Sequence, residues 1–330
     1  MTQSHTTPSM HDVAQLAGVS AATVSRALHG RPGVADSTRD RVLAAAESLS
    51  YVLSPIASRL ASGRTHTVGV LVPHAARWRV AQTVAGAESV LREHALDVLL
   101  YDIGEPEARE RFFNQMPLRR RVDAVLAVAM RFTDAEARAL RELDVPVAVV
   151  GTALPGAWSV RIDEAAAVRT AVDHLRALGH RRIGMIATDD DGRRQAYRDL
   201  AGPDVDEDLL VVVPHGLDGG RDAMRHLLRL PSPPTAVFTD SDELAFGALS
   251  TLRATGKNVA LVGLDDHELS ALLDLTTVRQ RATDQGCLAA GMLLRALAAV
   301  DRHPEDVILP TTLVLRASTW PLDAPRPSPS

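Results

Sequence analysis

Apolar positions near the start of the chain recur at the spacing of two short α-helices. Val13, Leu16 and Ala17 lie at positions i, i+3 and i+4, so they share one helical face. Val24 and Leu28 repeat the i, i+4 spacing a few residues later. The pattern therefore predicts two amphipathic helices that pack against each other through these faces.

The residues around these helices fit their ends and the turn between them. Ser9 and Asp12 have the spacing of a capping box at the start of the first helix. Gly18 suits a tight corner, because glycine adopts a positive φ without the steric penalty of a Cβ atom. Ser20 can cap the second helix by accepting a backbone N–H. Residues 12–28 are therefore predicted to form a helix-turn-helix.

A third amphipathic helix is predicted over residues 36–50, and Tyr51 is expected to complete a small three-helix core. The apolar face of this helix consists of Val42, Leu43, Ala46 and Leu49. Together these elements predict a helical domain over residues 1–52. Residues 53–66 follow as a linker with one short helix, which is too short to be stable alone and so needs a partner to fold. A passive tether is the alternative.

From Thr67 onward, short apolar runs alternate with helical segments. The runs predicted as buried strands are 68–72, 97–101, 123–129, 146–150, 182–187, 209–213, 235–238 and 259–264. This alternation is typical of parallel sheets covered by helices on both faces. The strands are too many for one small sheet, so residues 67–320 are predicted to form two doubly wound α/β subdomains with a border near 160–163. The proline-rich residues 321–330 are predicted to be a disordered tail.

Composition and charge narrow the function classes. The 330 residues include a single cysteine and neither a signal peptide nor a transmembrane run, so we expect a cytoplasmic protein without disulfides. Residues 1–66 hold six arginines against four acidic residues, a balance of +2, whereas the whole chain carries −5 and the remainder therefore −7. The sign of this asymmetry suits an N-terminal module that faces phosphates on a body that does not attract DNA.

The second helix of the helix-turn-helix has a small, polar face that suits base contacts. Its first turn holds Ala21, Ala22 and Thr23, with Ser25 and Arg26 following. First-turn residues of such a helix meet base edges in the major groove. Alanine and threonine methyl groups suit a thymine methyl, and arginine suits guanine. An ordinary helical hairpin of a protein core is the alternative interpretation.

Motifs spread along the chain resemble the lac repressor (LacI/GalR) family. The first is Asp12-Val-Ala-x-x-Ala-Gly-Val-Ser-x-x-Thr-Val-Ser-Arg-x-Leu28, which resembles the family's DNA-binding headpiece. The later ones are H-L-x-x-L-G-H-x-x-I at 174–183, S-D-x-x-A-x-G at 241–247, V-G-L-D-D at 262–266 and L-T-T-V at 275–278. Their order and spacing, from Asp12 to about Trp320, make the resemblance specific.

The resemblance implies a transcriptional regulator, a repressor by expectation, that binds a pseudo-palindromic operator as a homodimer or a dimer of dimers. It places Ala21 and Ala22 at the main base-reading positions, with Thr23, Ser25, Arg26 and His29 contacting bases or phosphates. In such proteins the linker folds into a hinge helix on operator DNA. The hinge residues here are Ala57 and Leu60, and Leu60 would wedge into the minor groove.

The resemblance also implies a core like periplasmic sugar-binding proteins, with a small effector between the two subdomains. Effector binding would bias subdomain closure and thereby hinge folding. The expected contacts are Trp78, Arg79, Asp163, Arg193, Asp242 and Asp265. Asp163 and Asp242 have the alternative role of capping the helices that follow them. Asp265 ends a predicted strand, where open α/β sheets bind ligands.

Two stretches depart from the family pattern. Residues 74–80 lack the aromatic pair that often stacks on a sugar ring, although Trp78 remains as a possible wall. Arg79 in that loop suits a phosphate or a carboxylate. Arg193 matches the family's ligand-gripping arginine, but Ala196 replaces the glycine of R-x-x-G-Y, and residues 188–208 form a short segment. A sugar effector is therefore only one of the expected classes.

Two other function classes are weaker alternatives. A solute-binding protein without a regulatory role would not need an N-terminal helix-turn-helix. An α/β enzyme would need a catalytic constellation, and the sequence contains neither a G-x-G-x-x-G or P-loop motif nor a G-x-S-x-G elbow. The acidic run at 189–191 is expected to be a solvated turn. No enzymatic activity, cofactor or metal site is therefore expected.

Overall fold

The computed structural model describes residues 8–28, 32–49, 51, 64–189, 191–202, 206–300 and 303–320. The chain divides into two compact units, Met1–Thr65 and His66–Ser330. His29, Ala57, Leu60 and the tail 321–330 lie outside the described residues, so the predictions made for them stay predictions. Among the helices that are described, none is long and apolar enough to span a membrane.

The N-terminal unit contains the helices α1 (Met10–Ala17), α2 (Ala21–Leu28) and α3 (Asp36–Ser48). The capping box is confirmed, since the N-cap Ser9 and Asp12 bond to each other's backbone N–H groups. Gly18 ends α1 in the left-handed conformation at φ 67°. Ser20 Oγ accepts the N–H of Thr23 at 3.1 Å and so caps α2. The predicted helix-turn-helix is therefore present.

The core of this unit is built from valines surrounded by alanines. Val13, Val24 and Val42 are completely buried, and the buried alanines around them are Ala14, Ala17, Ala27, Ala45 and Ala46. The prediction that Leu16 and Leu43 belong to this core is wrong, because they are 57% and 48% exposed. The small alanine side chains let the helices approach closely, so the buried face is centred on them instead. Tyr51 packs against this core, as predicted.

The described part of the second unit, which we call the core unit, contains twelve strands and nine α-helices. The strands are β1 (Thr67–Val72), β2 (Asp97–Asp102), β3 (Ala124–Val128), β4 (Val147–Val150), β5 (Trp158–Ile162), β6 (Ile183–Ala187), β7 (Leu210–Val212), β8 (Ala236–Thr239), β9 (Ala260–Asp265), β10 (Thr276–Arg279), β11 (Asp306–Leu309) and β12 (Thr312–Val314). The helices are α4 (Trp78–Glu93), α5 (Pro106–Gln115), α6 (Asp134–Arg141), α7 (Glu164–Ala177), α8 (Asp191–Ala201), α9 (Leu217–Leu228), α10 (Asp242–Thr255), α11 (Glu268–Leu272) and α12 (Ala282–Leu297).

These strands form two six-stranded sheets, one in each subdomain. The first sheet has the order β11-β5-β4-β3-β1-β2 and is parallel throughout. The second has the order β12-β10-β9-β8-β6-β7 and is parallel except for β12, which pairs antiparallel with β10. The central strands β1, β3, β8 and β9 are buried at every position, which explains why their sequences are mainly apolar. The predicted fold class is confirmed.

The chain crosses between the two subdomains three times, after β5, after β10 and between β11 and β12. The second crossing brings α12 into the first subdomain, where it packs along α4. The two helices approach closely at Gly86 and Gly286. A Cβ atom at either glycine would collide with backbone atoms of the opposite helix. This close packing joins the C-terminal part of the chain firmly to the first subdomain.

Candidate functional site

In the N-terminal unit, α2 presents a surface of small side chains and one cation. Ala21, Ala22 and Arg26 are exposed, whereas Thr23 and Ser25 are half-buried. The hydroxyl of Thr23 lies 2.9 Å from that of Ser20 and belongs to the helix cap. The structure therefore brings the described DNA-contact candidates together on one helix, with Arg26 as its exposed positive charge.

The core unit has a cleft between its subdomains, at the carboxyl ends of the strands of both sheets. Its cavity volume is about 280 Å³. The first subdomain lines it with Arg77, Arg79, Val80, Ala129 and Arg131. The second lines it with Thr188, Asp189, Arg193, His215, Asp240, Ser241, Glu243 and Asp265. Open α/β sheets bind ligands at this edge.

Arg193 is a fixed part of the cleft wall. It is only 6% exposed. Its guanidinium pairs with both carboxylate oxygens of Glu164 and donates from Nη1 to the backbone oxygen of Asp240 at 2.6 Å. These contacts hold the side chain in one orientation before any ligand arrives.

The alanine that replaces the family's glycine does not alter this wall. Ala196 is buried in the core of the second subdomain, beside Tyr197. The Tyr197 hydroxyl donates to the backbone oxygen of Ile183 at 2.7 Å, and burial raises the pKa of this phenol to about 12. The side chain of residue 196 therefore packs against the sheet rather than into the cleft.

Asp265 ends β9 in an unusual conformation. Its φ of 130° lies in a region that side-chain-bearing residues rarely adopt. Its carboxyl accepts a hydrogen bond from Gln280, and Arg79 Nε lies 4.0 Å from Oδ1. Burial raises the pKa of Asp265 to about 8, although the charge of Arg79 acts in the opposite direction. The neutral acid is therefore the favoured form of this side chain at pH 7.

Asp240, which the sequence pattern did not indicate, lines the cleft, whereas two predicted effector contacts, Asp163 and Asp242, are not among its lining residues. Its Oδ2 accepts from the N–H and hydroxyl of Thr188 at 2.7 and 2.8 Å. Its Oδ1 is buried and has no hydrogen-bond partner among the described residues. A buried acceptor is costly when it is unsatisfied, so this oxygen marks a place where a ligand donor or water fits. In the sequence, Asp240 could have been identified by its position directly after the apolar run of β8 and directly before the S-D-x-x-A-x-G motif.

The structure places Asp163 and Asp242 away from the cleft wall. Asp163 is exposed and caps α7 by accepting the N–H of Ala166 at 2.9 Å. Asp242 is completely buried, and burial raises the pKa of its carboxyl. Its oxygens accept from the hydroxyls of Ser270 and Thr277, both at 2.6 Å, and from the N–H of residue 267 at 2.8 Å. Both carboxylates therefore organise neighbouring backbone segments.

Trp78 lines a second cavity of about 330 Å³, which shares Asp265 with the first. Its ring packs against the ring of His267, with centroids 4.6 Å apart. Its backbone N–H is bonded by the carboxylate of Glu243 from the second subdomain. Burial opposes ionisation of Glu243, but the hydrogen bond from His215, at 3.0 Å, and the other contacts together lower its pKa. Trp78 thus contributes contacts between subdomains and borders this second cavity, and its role as a stacking wall stays a prediction.

Comparisons with known families match both units. Residues 9–54 match the family described as bacterial regulatory proteins, lacI family. Residues 172–319 match the periplasmic binding protein-like domain. The HTH-type transcriptional repressor CytR of Escherichia coli (strain K12) is 31% identical over 332 residues, which cover 95% of this chain and 97% of that protein. The HTH-type transcriptional regulator CelR of Thermobifida fusca is 31% identical over 334 residues, which cover 94% of this chain and 98% of that protein.

Solved structures match over almost the whole chain as well. A complex of the transcriptional regulator CelR with cellobiose is 31% identical and has a TM-score of 0.70, covering 94% of this chain and all of that one. The lac repressor dimer bound to operator and the anti-inducer ONPF is 25% identical and has a TM-score of 0.83, covering 96% and all of that chain.

Proposed function

Since this chain belongs to the LacI family of bacterial transcriptional regulators, we propose that α2 contacts an operator and that a small molecule in the cleft controls this contact. The protein is an effector-controlled DNA-binding regulator. One observation supports the assignment of its parts. The same chain carries a helix-turn-helix whose second helix has exposed residues, and a cleft lined by Asp240, whose buried Oδ1 accepts no hydrogen bond from the described residues.

The exposed residues of α2 define how DNA would be recognised. The methyl groups of Ala21 and Ala22 suit thymine methyls, and Arg26 suits the two acceptors of a guanine. Two alanines supply little discrimination, so much of the specificity would come from Arg26 and from operator deformability. By resemblance, Leu60 would insert at the operator centre with Ala57 beside it, and the homodimer would match a pseudo-palindromic site.

The cleft would control DNA binding through contacts that join the two subdomains. Glu243 bonds to the backbone of Trp78, and Arg79 lies near Asp265 across the cleft. A ligand that bridges both walls would favour one arrangement of the subdomains over another. Coupling of this kind typically changes the affinity for the second ligand, here the operator, by about 5- to 150-fold, or about 1–3 kcal/mol.

Members of this family are DNA-binding regulators rather than enzymes, and we assign this chain the same role. Its described residues contain no cluster of three or more potential metal ligands. A regulator of this kind would act in the compartment that holds the chromosome, which in bacteria is the cytoplasm.

Footprinting of the purified chain on DNA upstream of its own gene and of the adjacent operon tests the proposal. We expect a protected, nearly palindromic site. Arg26→Ala should weaken binding to that site, whereas Arg141→Ala, at an exposed position of the core unit, should not. Equal binding by the Arg26→Ala variant and the wild type would refute the assignment of α2.

A further inference from the structure

We propose that the effector carries an anionic group, a phosphate or a carboxylate, which binds beside Arg77 and Arg79, and hydroxyl groups that reach Asp240. The inference rests on the proposed function, because it identifies the chemical class of the ligand for the same cleft. It differs from a neutral sugar in requiring a negative charge at the wall formed by the first subdomain.

Two arginines from one loop line this wall. Arg77 is the residue before α4 and Arg79 lies in its first turn, so both stand at the positive end of that helix. Both side chains are half-buried, and that of Arg79 is 22% exposed. The pKa of Arg77 is lowered by burial first and then by the charge of Arg79, while the charges of Glu243, Asp240 and Asp102 act in the opposite direction. The two cations therefore repel each other in a partly desolvated place.

The carboxyl groups near this wall make their closest contacts with other residues. Glu243 pairs with His215, and Asp189 pairs with Arg194. Asp240 is held by Thr188 through its Oδ2.

Two facts leave the positive charge of the wall only partly balanced by the nearby carboxylates. The neutral form of Asp265 is favoured, and its oxygen is 4.0 Å from Arg79. Arg77 makes no ion pair with any residue that the structure describes. Arginine pairs well with phosphate and carboxylate groups, because its planar fork of donors matches their oxygens.

The opposite wall supplies an independent sign of a ligand. Asp240 is 1% exposed and is among the residues that line the cavity, and its Oδ1 lacks a hydrogen-bond partner among the described residues. Arg193 donates to the backbone oxygen of this residue and is locked by Glu164, so the wall is preorganised. A carboxylate oxygen in this position accepts a hydroxyl proton well. Two walls of different chemistry therefore fit the two ends of one hydroxylated anion.

The same geometry argues against a purely neutral sugar. Trp78, the aromatic residue of this loop, packs on His267 and lines the neighbouring cavity rather than the one that Arg77 and Asp240 border. A neutral ligand would leave the repulsion between Arg77 and Arg79 in place. An anionic group would relieve it and would bring a hydrogen-bond acceptor to the same point.

Isothermal titration calorimetry on the full chain tests the inference with glucose, glucose 6-phosphate, gluconate and inorganic phosphate at constant ionic strength. We expect at least one anionic compound to bind and glucose not to bind. In the Arg77→Gln/Arg79→Gln variant the affinity should fall at least about tenfold, as expected when charge-assisted hydrogen bonds are lost. Arg92→Gln, on the exposed far end of α4, should bind like the wild type.

Two further variants test the two ends of the ligand independently and distinguish loss of binding from misfolding. Asp240→Asn should weaken binding of the hydroxylated anion more than binding of inorganic phosphate. Arg77→Lys/Arg79→Lys keeps both charges and should retain more affinity than the glutamine variant, with circular dichroism confirming that each is folded. Comparison of glucose 6-phosphate with gluconate shows whether a phosphate or a carboxylate is preferred. Comparison with inorganic phosphate shows whether the carbon skeleton contributes to binding.

The inference is overturned if glucose binds as well as its charged counterparts, if no anion binds, or if the glutamine variant retains wild-type affinity. Operator binding is measured in the same preparations with and without each compound. Absence of operator binding under every condition would refute the proposed function, whereas operator binding without an anion response refutes only this inference.

Discussion

Replacement of Asp265 by asparagine should change how the stability of the protein depends on pH. The carboxyl is 7% exposed, and burial raises its pKa from an ordinary value of 3.8 to about 8. Between these values the folded state keeps a proton that the unfolded state releases. The free energy of unfolding contributed by this group therefore falls as the pH rises, by up to about 1.4 kcal/mol per pH unit.

Asparagine has the same shape but cannot ionise, so the Asp265→Asn variant lacks this slope. Relative to the wild type, its free energy of unfolding should increase by about 2–3 kcal/mol between pH 5 and pH 7. Urea unfolding followed by circular dichroism measures this difference at each pH. Asp163→Asn, the same change at an exposed helix cap, serves as the control. A difference between Asp265→Asn and wild type that stays constant or decreases over this range would refute a buried, protonated Asp265.

Other substitutions test the packing of the core unit by the same urea unfolding. Gly286→Ala should destabilise the protein by about 1–3 kcal/mol or more, because the added methyl group meets the backbone of α4. Gly291→Ala, in the same helix with its nearest neighbour atom at 4.0 Å, should be tolerated, and equal effects would contradict the close helix contact. Asp242→Ala should cost about 3 kcal/mol or more, since it leaves two buried hydroxyl donors and one half-buried N–H without an acceptor. Asp163→Ala should cost only about 1 kcal/mol, the value of an N-cap, and a larger loss there than at Asp242 would contradict their assigned roles.

The fold was predictable wherever burial produces a regular sequence pattern. All eight apolar runs form strands. Six of them lie inside the two sheets, where strands covered by helices are apolar on both faces, and the other two, β2 and β7, lie at sheet edges. The strands β5, β10, β11 and β12 escaped prediction. They are three to five residues long, and polar residues such as Ser159 and Thr276 are buried in them, so no apolar run marks them.

The site was predictable in location but only partly in its residues. Arg79, Arg193 and Asp265 border the cleft, as expected from the strand ends and the family motifs. The direction of a side chain at a strand end depends on the local backbone, which sequence spacing does not determine. For that reason Asp242 turns into a buried hydrogen-bond network, and Asp240 occupies the cleft instead.

The affinity of the full chain for a labelled operator fragment, measured with and without the cleft ligand, tests the central claim most directly. Fluorescence anisotropy gives this affinity, and calorimetry under the same conditions establishes that the cleft is saturated. We expect ligand binding to change operator affinity by at least about fivefold, in one direction. Unchanged operator affinity with a saturated cleft would contradict the claim that the cleft controls DNA binding.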